Sequence, residues 1–144
     1  MAIYLLGSML DKYADAHLVL EINHLFVSST LREEIWLLQK KNDEDFLQQL
    51  VNKARTFHLN EVEGDRNFET YSGGQKAILA CLLMMTAITV RKIHNLRVVL
   101  INVFESISAE TRRMLSAEFR RLRSTNGIRV FTADRDQLEE LTGS

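Results

Sequence analysis

Proline is absent from this chain, cysteine occurs once and glycine only six times in 144 residues. A single cysteine, Cys81, excludes an intrachain disulfide and suits a reducing compartment. It sits inside an apolar run, so a buried thiol is expected. The missing proline is unusual for a domain of this size, and the sequence offers no physical reason for it. Charge of one sign is also lacking: 18 Lys and Arg face 19 Asp and Glu, a formal net charge of −1. No overall basic field therefore advertises a nucleic acid or an anionic membrane. The longest apolar stretch, Ala77 to Val90, is shorter than a bilayer span and too central for a signal peptide. The first residues, Met1-Ala2-Ile3-Tyr4, form no basic leader. These readings predict a cytoplasmic protein with only indirect membrane association.

What is present suits one soluble domain. Apolar residues make up 46% and charged residues 26% of the chain. At this length about 68–70% of the unfolded surface can be buried, enough for one core. Residues 3–14 space Ile3, Leu6, Leu10 and Tyr13 as a helix would, and His17 to Ile22 reads as a strand. Thr30 and Glu33 match a capping box opening a helix through Leu31, Ile35 and Leu38. Asn42 precedes a second amphipathic helix carrying Phe46, Leu47, Leu50, Val51 and Ala54, with Asp43, Glu44 and Asp45 at its positive end. Residues 60–70 read as a loop. Gln75 to Arg91 is apolar on nearly every face, hence a buried helix.

Arg97 to Phe104 contains the clearest strand. Its Val-Val-Leu-Ile run is continuous rather than alternating, as in a parallel strand covered on both faces. Glu110 to Arg123 is amphipathic, Asn126-Gly127 ends it, and Ile128 to Thr132 forms another strand. Asp136 to Leu141 is expected to add a helical turn. The pattern predicts an α/β fold with a small parallel sheet, spanning residues 1–144 as a single domain. Residues 25–72 would form an early helical subdomain, and residues 73–144 a β-α-β part of the core.

The chemistry centres on Tyr71-Ser72-Gly73-Gly74-Gln75-Lys76, placed before the long apolar helix. Two glycines let backbone approach a ligand, unpaired amides point outward, Ser72 offers a hydroxyl, and the helix dipole favours an anion. The same residues also suit an ordinary loop-to-helix turn in which Ser72 caps and the glycines relieve strain. The segment resembles the signature motif of ABC ATPases, Leu-Ser-Gly-Gly-Gln, with Tyr71 as its single departure. Leu25-Phe26 followed by Thr30-Leu31-Arg32-Glu33-Glu34-Ile35 is similar to the segment that opens that family's helical subdomain. Val98 to Ile101 sits where a Walker B strand belongs, Ser106 to Arg112 resembles the D-loop and its helix, and Val130-Phe131-Thr132-Ala133-Asp134 resembles the switch strand.

The resemblance implies a partial, P-loop NTPase-like ABC fold. It also implies that Ser72, Gly73, Gly74, Gln75 and Lys76 meet the γ-phosphate of ATP held by another protomer. Several family parts are missing. No Walker A loop is present; Gly7 and Lys12 come nearest, and Leu5 to Leu10 aligns instead with the helix after that loop. Asn102 and Val103 stand where Walker B ends in acids, leaving Glu105 as the nearest carboxylate and a weak catalytic candidate. Ala133 replaces the switch histidine, and about Glu21 or Asn23 the Q-loop glutamine. Phosphoryl transfer needs metal, phosphate cradle and positioned water together. The expectation is therefore a chain without ATPase activity of its own, with ATP and Mg only at a shared interface.

Two partners fit that expectation: a Walker-A-bearing ATPase chain, or a second copy in a homodimer. A non-hydrolysing subunit or interaction module is one functional reading. The other is one part of a composite ABC or SMC-like ATPase, in transport or DNA repair, although no coiled-coil heptads flank the motif. Loss of the central strand would then leave an apolar sheet edge exposed. His17, His24, His58 and His94 lack metal-ligand spacing, so no metal site is expected. Arg112, Arg113, Arg120, Arg121 and Arg123 read as a solvated basic face, or as contact with an acidic partner or nucleic acid. Trp36 reads as packed internally or as marking a partner groove.

Overall fold

The computed structural model describes residues 18–134 and 137–141. The expectations for residues 3–14, including Gly7, Lys12 and the helix placed over Leu5 to Leu10, lie outside them, as do those for His17 and Asp136. Strand β1 spans Leu18–Glu21, and helices α1 (Leu31–Gln39), α2 (Glu44–Thr56) and α3 (Gly73–Val90) follow. Then come β2 (Arg97–Ile101), helix α4 (Ala109–Asn126), β3 (Arg129–Asp134) and β4 (Gln137–Glu140).

The sheet order is β1-β2-β3-β4. The first three strands are parallel, with Leu18, Val98 and Val130 in register across them. β4 pairs with β3 antiparallel, so the sheet is mixed rather than parallel, and the helical turn expected at its position is a strand. Arg129 explains the hold: its guanidinium donates to both carboxylate oxygens of Glu140, each at 2.8 Å. The backbone ladder and this fork together favour a strand over an isolated turn of helix.

Both faces of the parallel strands are covered, as the unbroken apolar runs predicted. Leu18, Leu20, Val98, Leu100 and Val130 join the main core with α3 and α4 residues, while Val19, Val99 and Ala133 form a smaller buried cluster with Ile101 and Phe131. β1 is the end strand, yet Leu18, Val19 and Leu20 are only 2%, 2% and 0% exposed. Among the described strands β1 has no neighbour on its outer side, and its apolar side chains are covered.

Helix α3 is the spine of the core. By length and composition it could cross a membrane, but 67% of it is buried inside the fold, which makes it a core helix. Residues Ala77 to Ile88 are buried on every face, including Cys81, whose thiol burial pushes up to about 12. The amphipathic helices α1, α2 and α4 cover the rest. Asp43, not Asn42, caps α2 by accepting the Phe46 amide. Gly127 closes α4 at φ +65, a left-handed cap that glycine adopts without strain.

Candidate functional site

The site is built from the entry to α3. Phe68–Thr70 forms one short 3₁₀ turn, and Tyr71 and Ser72 then run extended into the helix. The turn is held from behind by the Leu25–Thr30 segment. Phe26 stacks on Phe68 with ring centroids 3.7 Å apart, and the Phe68 amide donates to the Ser29 carbonyl at 2.8 Å. That segment is in turn anchored to α1 by Glu34, which is fully buried and accepts hydrogen bonds from the amides of Val27 and Ser28. The stretches that carry the upstream resemblance and the signature motif are therefore packed into one support.

Tyr71, the motif's departure from leucine, has a structural use. Its ring is buried, the Arg66 guanidinium lies 4.0 Å from the ring centroid, and its hydroxyl accepts the Glu63 amide at 3.3 Å. Arg66 is further fixed by donating to the Thr70 hydroxyl, the Thr70 carbonyl and the Glu61 carbonyl. A leucine would lose both the cation–π contact and the hydroxyl acceptor. A small cavity of about 220 Å³ lies alongside, lined by His58, Glu61, Arg66, Tyr71 and Gln75 among others.

At the helix start the capping box closes. Ser72 Oγ accepts the Gln75 amide at 3.1 Å, and Gln75 Oε1 accepts the Ser72 amide at 2.9 Å. Of the box expected at Thr30 only one half is present among the described residues: its hydroxyl accepts the Glu33 amide at 3.2 Å. Capping thus occupies the Ser72 hydroxyl oxygen and the Gln75 side-chain carbonyl oxygen as acceptors, while the Ser72 O–H and the Gln75 side-chain NH2 keep their donor capacity. It leaves the amides of Gly73 and Gly74, the first two of the helix, without a partner among the described residues. Ser72 and Gly73 are exposed, and Gly74, Gln75 and Lys76 are half-buried.

The two glycines differ in what the fold asks of them. A Cβ at Gly74 would meet the Ser106 carbonyl oxygen at 2.7 Å, closer than real Cβ contacts come. A Cβ at Gly73 would meet nothing within 4 Å. Gly74 is therefore required by packing, whereas nothing inside the described chain requires glycine at 73.

The other predicted positions gather at the carboxyl ends of the parallel strands. Asn102 follows β2 at φ +56, and its amide donates to the Ala133 carbonyl at 3.1 Å. Left-handed backbone is a conformation asparagine tolerates better than most side chains. Asn102 thus follows the end of a strand and is joined to Ala133 by a backbone hydrogen bond. Val103 is fully buried and Ala133 nearly so. Glu105 is exposed in the 3₁₀ turn Phe104–Ser106, whose last carbonyl abuts Gly74. Glu21, after aligning with Ile101, accepts from the Asn23 amide and side chain.

Ligands of open α/β sheets sit beyond the carboxyl ends of strands where the strand order reverses. The described order runs straight from β1 to β4. It therefore provides no such crevice. Among the described residues no cluster of three or more His, Cys, Asp or Glu could hold a metal ion.

Sequence reasoning missed Glu34, Arg66 and the left-handed Asn102. Glu34 had a signal, since it interrupts the apolar stripe of Leu31, Ile35 and Leu38 on one helix face. The pairing of Arg66 with Tyr71 had none, because it depends on how the loop folds back. Trp36 is 48% exposed, so it does not pack internally. No protein-family model matches this chain, and no curated protein matches it either.

Proposed function

We propose that this chain is a non-hydrolysing, ABC-ATPase-like subunit that presents the start of α3 to a phosphate held by a partner chain. Support comes foremost from the Gly73 and Gly74 amides. They are unpaired, they open a helix of 18 residues, and the first of them is fully accessible. Such a terminus attracts anions through its free N–H groups and its dipole. Lys76, one turn on, adds positive charge nearby. In this reading the capping box of Ser72 and Gln75 holds the two glycine amides at a fixed angle, and the Ser72 hydroxyl and Gln75 side-chain NH2 still have donors to offer the ligand.

The residue types at the positions likened to Walker B and the switch favour a partner: Asn102, Val103 and Ala133 carry neither carboxylate nor imidazole. ATP and Mg would be bound on the partner, a Walker-A-bearing chain of P-loop type, and this chain would close the site from the opposite side. Hydrolysis by the isolated chain is not expected, because metal, cradle and positioned water act together.

Gly73→Glu tests the reading without disturbing the fold. The new side chain enters open space, and an acidic residue in the first turn favours the helix. The isolated chain should show neither Mg-ATP turnover nor tight Mg-ATP binding. Co-expressed with a Walker-A-bearing ATPase chain, the protein should associate in an ATP-dependent manner, and Gly73→Glu should abolish that association. Turnover by the isolated chain, or association indifferent to both ATP and Gly73→Glu, would overturn the proposal.

A further inference from the structure

One side of α4 forms an open groove of about 520 Å³. Arg112, Arg113, Ser116 and Arg120 line it from the helix, and Phe104 and Leu141 supply an apolar wall. The helix positions recur at three- and four-residue steps, which puts them on a single face. Small Ser116 between the arginines leaves the space open. Its volume lies within the range of roughly 300–1,000 Å³ typical of small-molecule clefts.

Charge and shape in this groove agree. Three guanidinium groups line it, and no described lining residue is a carboxylate. Glu118 of α4 is engaged elsewhere, with Lys53 and Arg121. Arg112 and Arg113 are exposed, and no carboxylate among the described residues pairs with them. Arginine forks match phosphate oxygens two at a time. Phe104, which packs on Phe119 with centroids 6.5 Å apart, gives the wall a fixed aromatic element.

We propose that this groove binds a phosphorylated small molecule. The phosphate sits between Arg112 and Arg113 with the Ser116 hydroxyl as a further donor. The apolar part of the molecule lies on Phe104 and Leu141. This site does not depend on the role of the glycine amides of α3.

Titration calorimetry of the full chain with 1-naphthyl phosphate, inorganic phosphate and a short DNA duplex tests the idea. 1-Naphthyl phosphate should bind more tightly than inorganic phosphate, because only it reaches the apolar wall. Arg112→Ala with Arg113→Ala should weaken it by about tenfold or more, the scale of losing charge-assisted hydrogen bonds. Arg121→Ala with Arg123→Ala removes the same charge outside the groove and should leave binding within about twofold, as expected for screened surface charge. Ser116→Leu, which fills the groove at unchanged charge, should also abolish binding. Equal losses in the two double variants, indifference to Ser116→Leu, or binding of the duplex with none of 1-naphthyl phosphate would each overturn the proposal.

Discussion

The carbonyl oxygen of Ser106 lies 2.7 Å from where a Cβ on Gly74 would sit. This one approach ties the start of α3 to the turn that follows β2. It makes the two neighbouring glycines unequal.

Gly74→Ala should therefore destabilise the fold by about 1–3 kcal/mol, the usual cost of forcing an extra carbon into a packed contact with backbone. Gly73→Ala should change stability by no more than about 0.5 kcal/mol, as for a surface change that touches nothing. Urea denaturation of the two variants checks the contrast. Equal losses would show that the glycine pair relieves strain generally.

The capping box makes a separate prediction. Ser72→Ala removes the acceptor for the Gln75 amide, and N-cap losses of this kind cost about 1 kcal/mol. Gln75→Ala should cost less, because the Ser72 amide it exposes is already at the surface. Hydrogen exchange at the amides of residues 72–75 should quicken in both variants. An unchanged exchange rate would mean that the box does not hold the helix start in solution.

Glu34→Ala should be among the most damaging single changes. It leaves the Val27 and Ser28 amides without their acceptor, and an unsatisfied buried polar group costs about 1–3 kcal/mol. The damage should spread to the turn before Ser72, because Phe26 of the same segment stacks on Phe68. Thermal unfolding measures the loss, and Glu34→Gln should recover part of it through its remaining carbonyl oxygen. A neutral Glu34→Ala would sink this account of the support.

Acid should loosen the contact between α2 and α4. Partial burial pushes the Glu118 carboxyl up, but hydrogen bonds from Lys53 and Arg121 outweigh it and hold the group below its ordinary value. A carboxylate lowered by folding contributes stability that is present above its unfolded pKa and is lost as pH falls through its folded one. Stability should therefore drop as pH falls below the normal glutamate range. Glu118→Gln should flatten that part of the profile and cost about 0.5–1 kcal/mol at neutral pH, the range for a solvent-screened pair. Chemical denaturation at a series of pH values reads both effects.

Much of the fold was legible because it rests on local patterns. The continuous Val98 to Ile101 run, the amphipathic spacing of α2 and α4, and the Asn126-Gly127 stop each encode their element through side-chain burial or backbone freedom within a few residues. The last strand was not legible. Gln137–Glu140 is polar and short, and it becomes a strand through its pairing with β3 and the Arg129 fork on Glu140. The candidate site divides in the same way. The glycines and the cap of α3 could be named from the sequence. Whether the cap would spend Ser72 and Gln75 on each other could not, because a capping side chain and a ligand-binding one are the same chemistry until their partners are placed.

By itself the sequence determined helices α1 to α4, the buried strands β1 to β3 and the Ser72 cap that opens α3, since each follows from residue type and near-neighbour spacing. Tertiary structure alone decided why Gly74 must be glycine and that Asn102 and Ala133 meet through backbone. Those outcomes depend on contacts between residues about thirty or more positions apart, such as Gly74 with Ser106 and Asn102 with Ala133. Contacts at that separation are set by how the elements pack together, which local patterning does not encode.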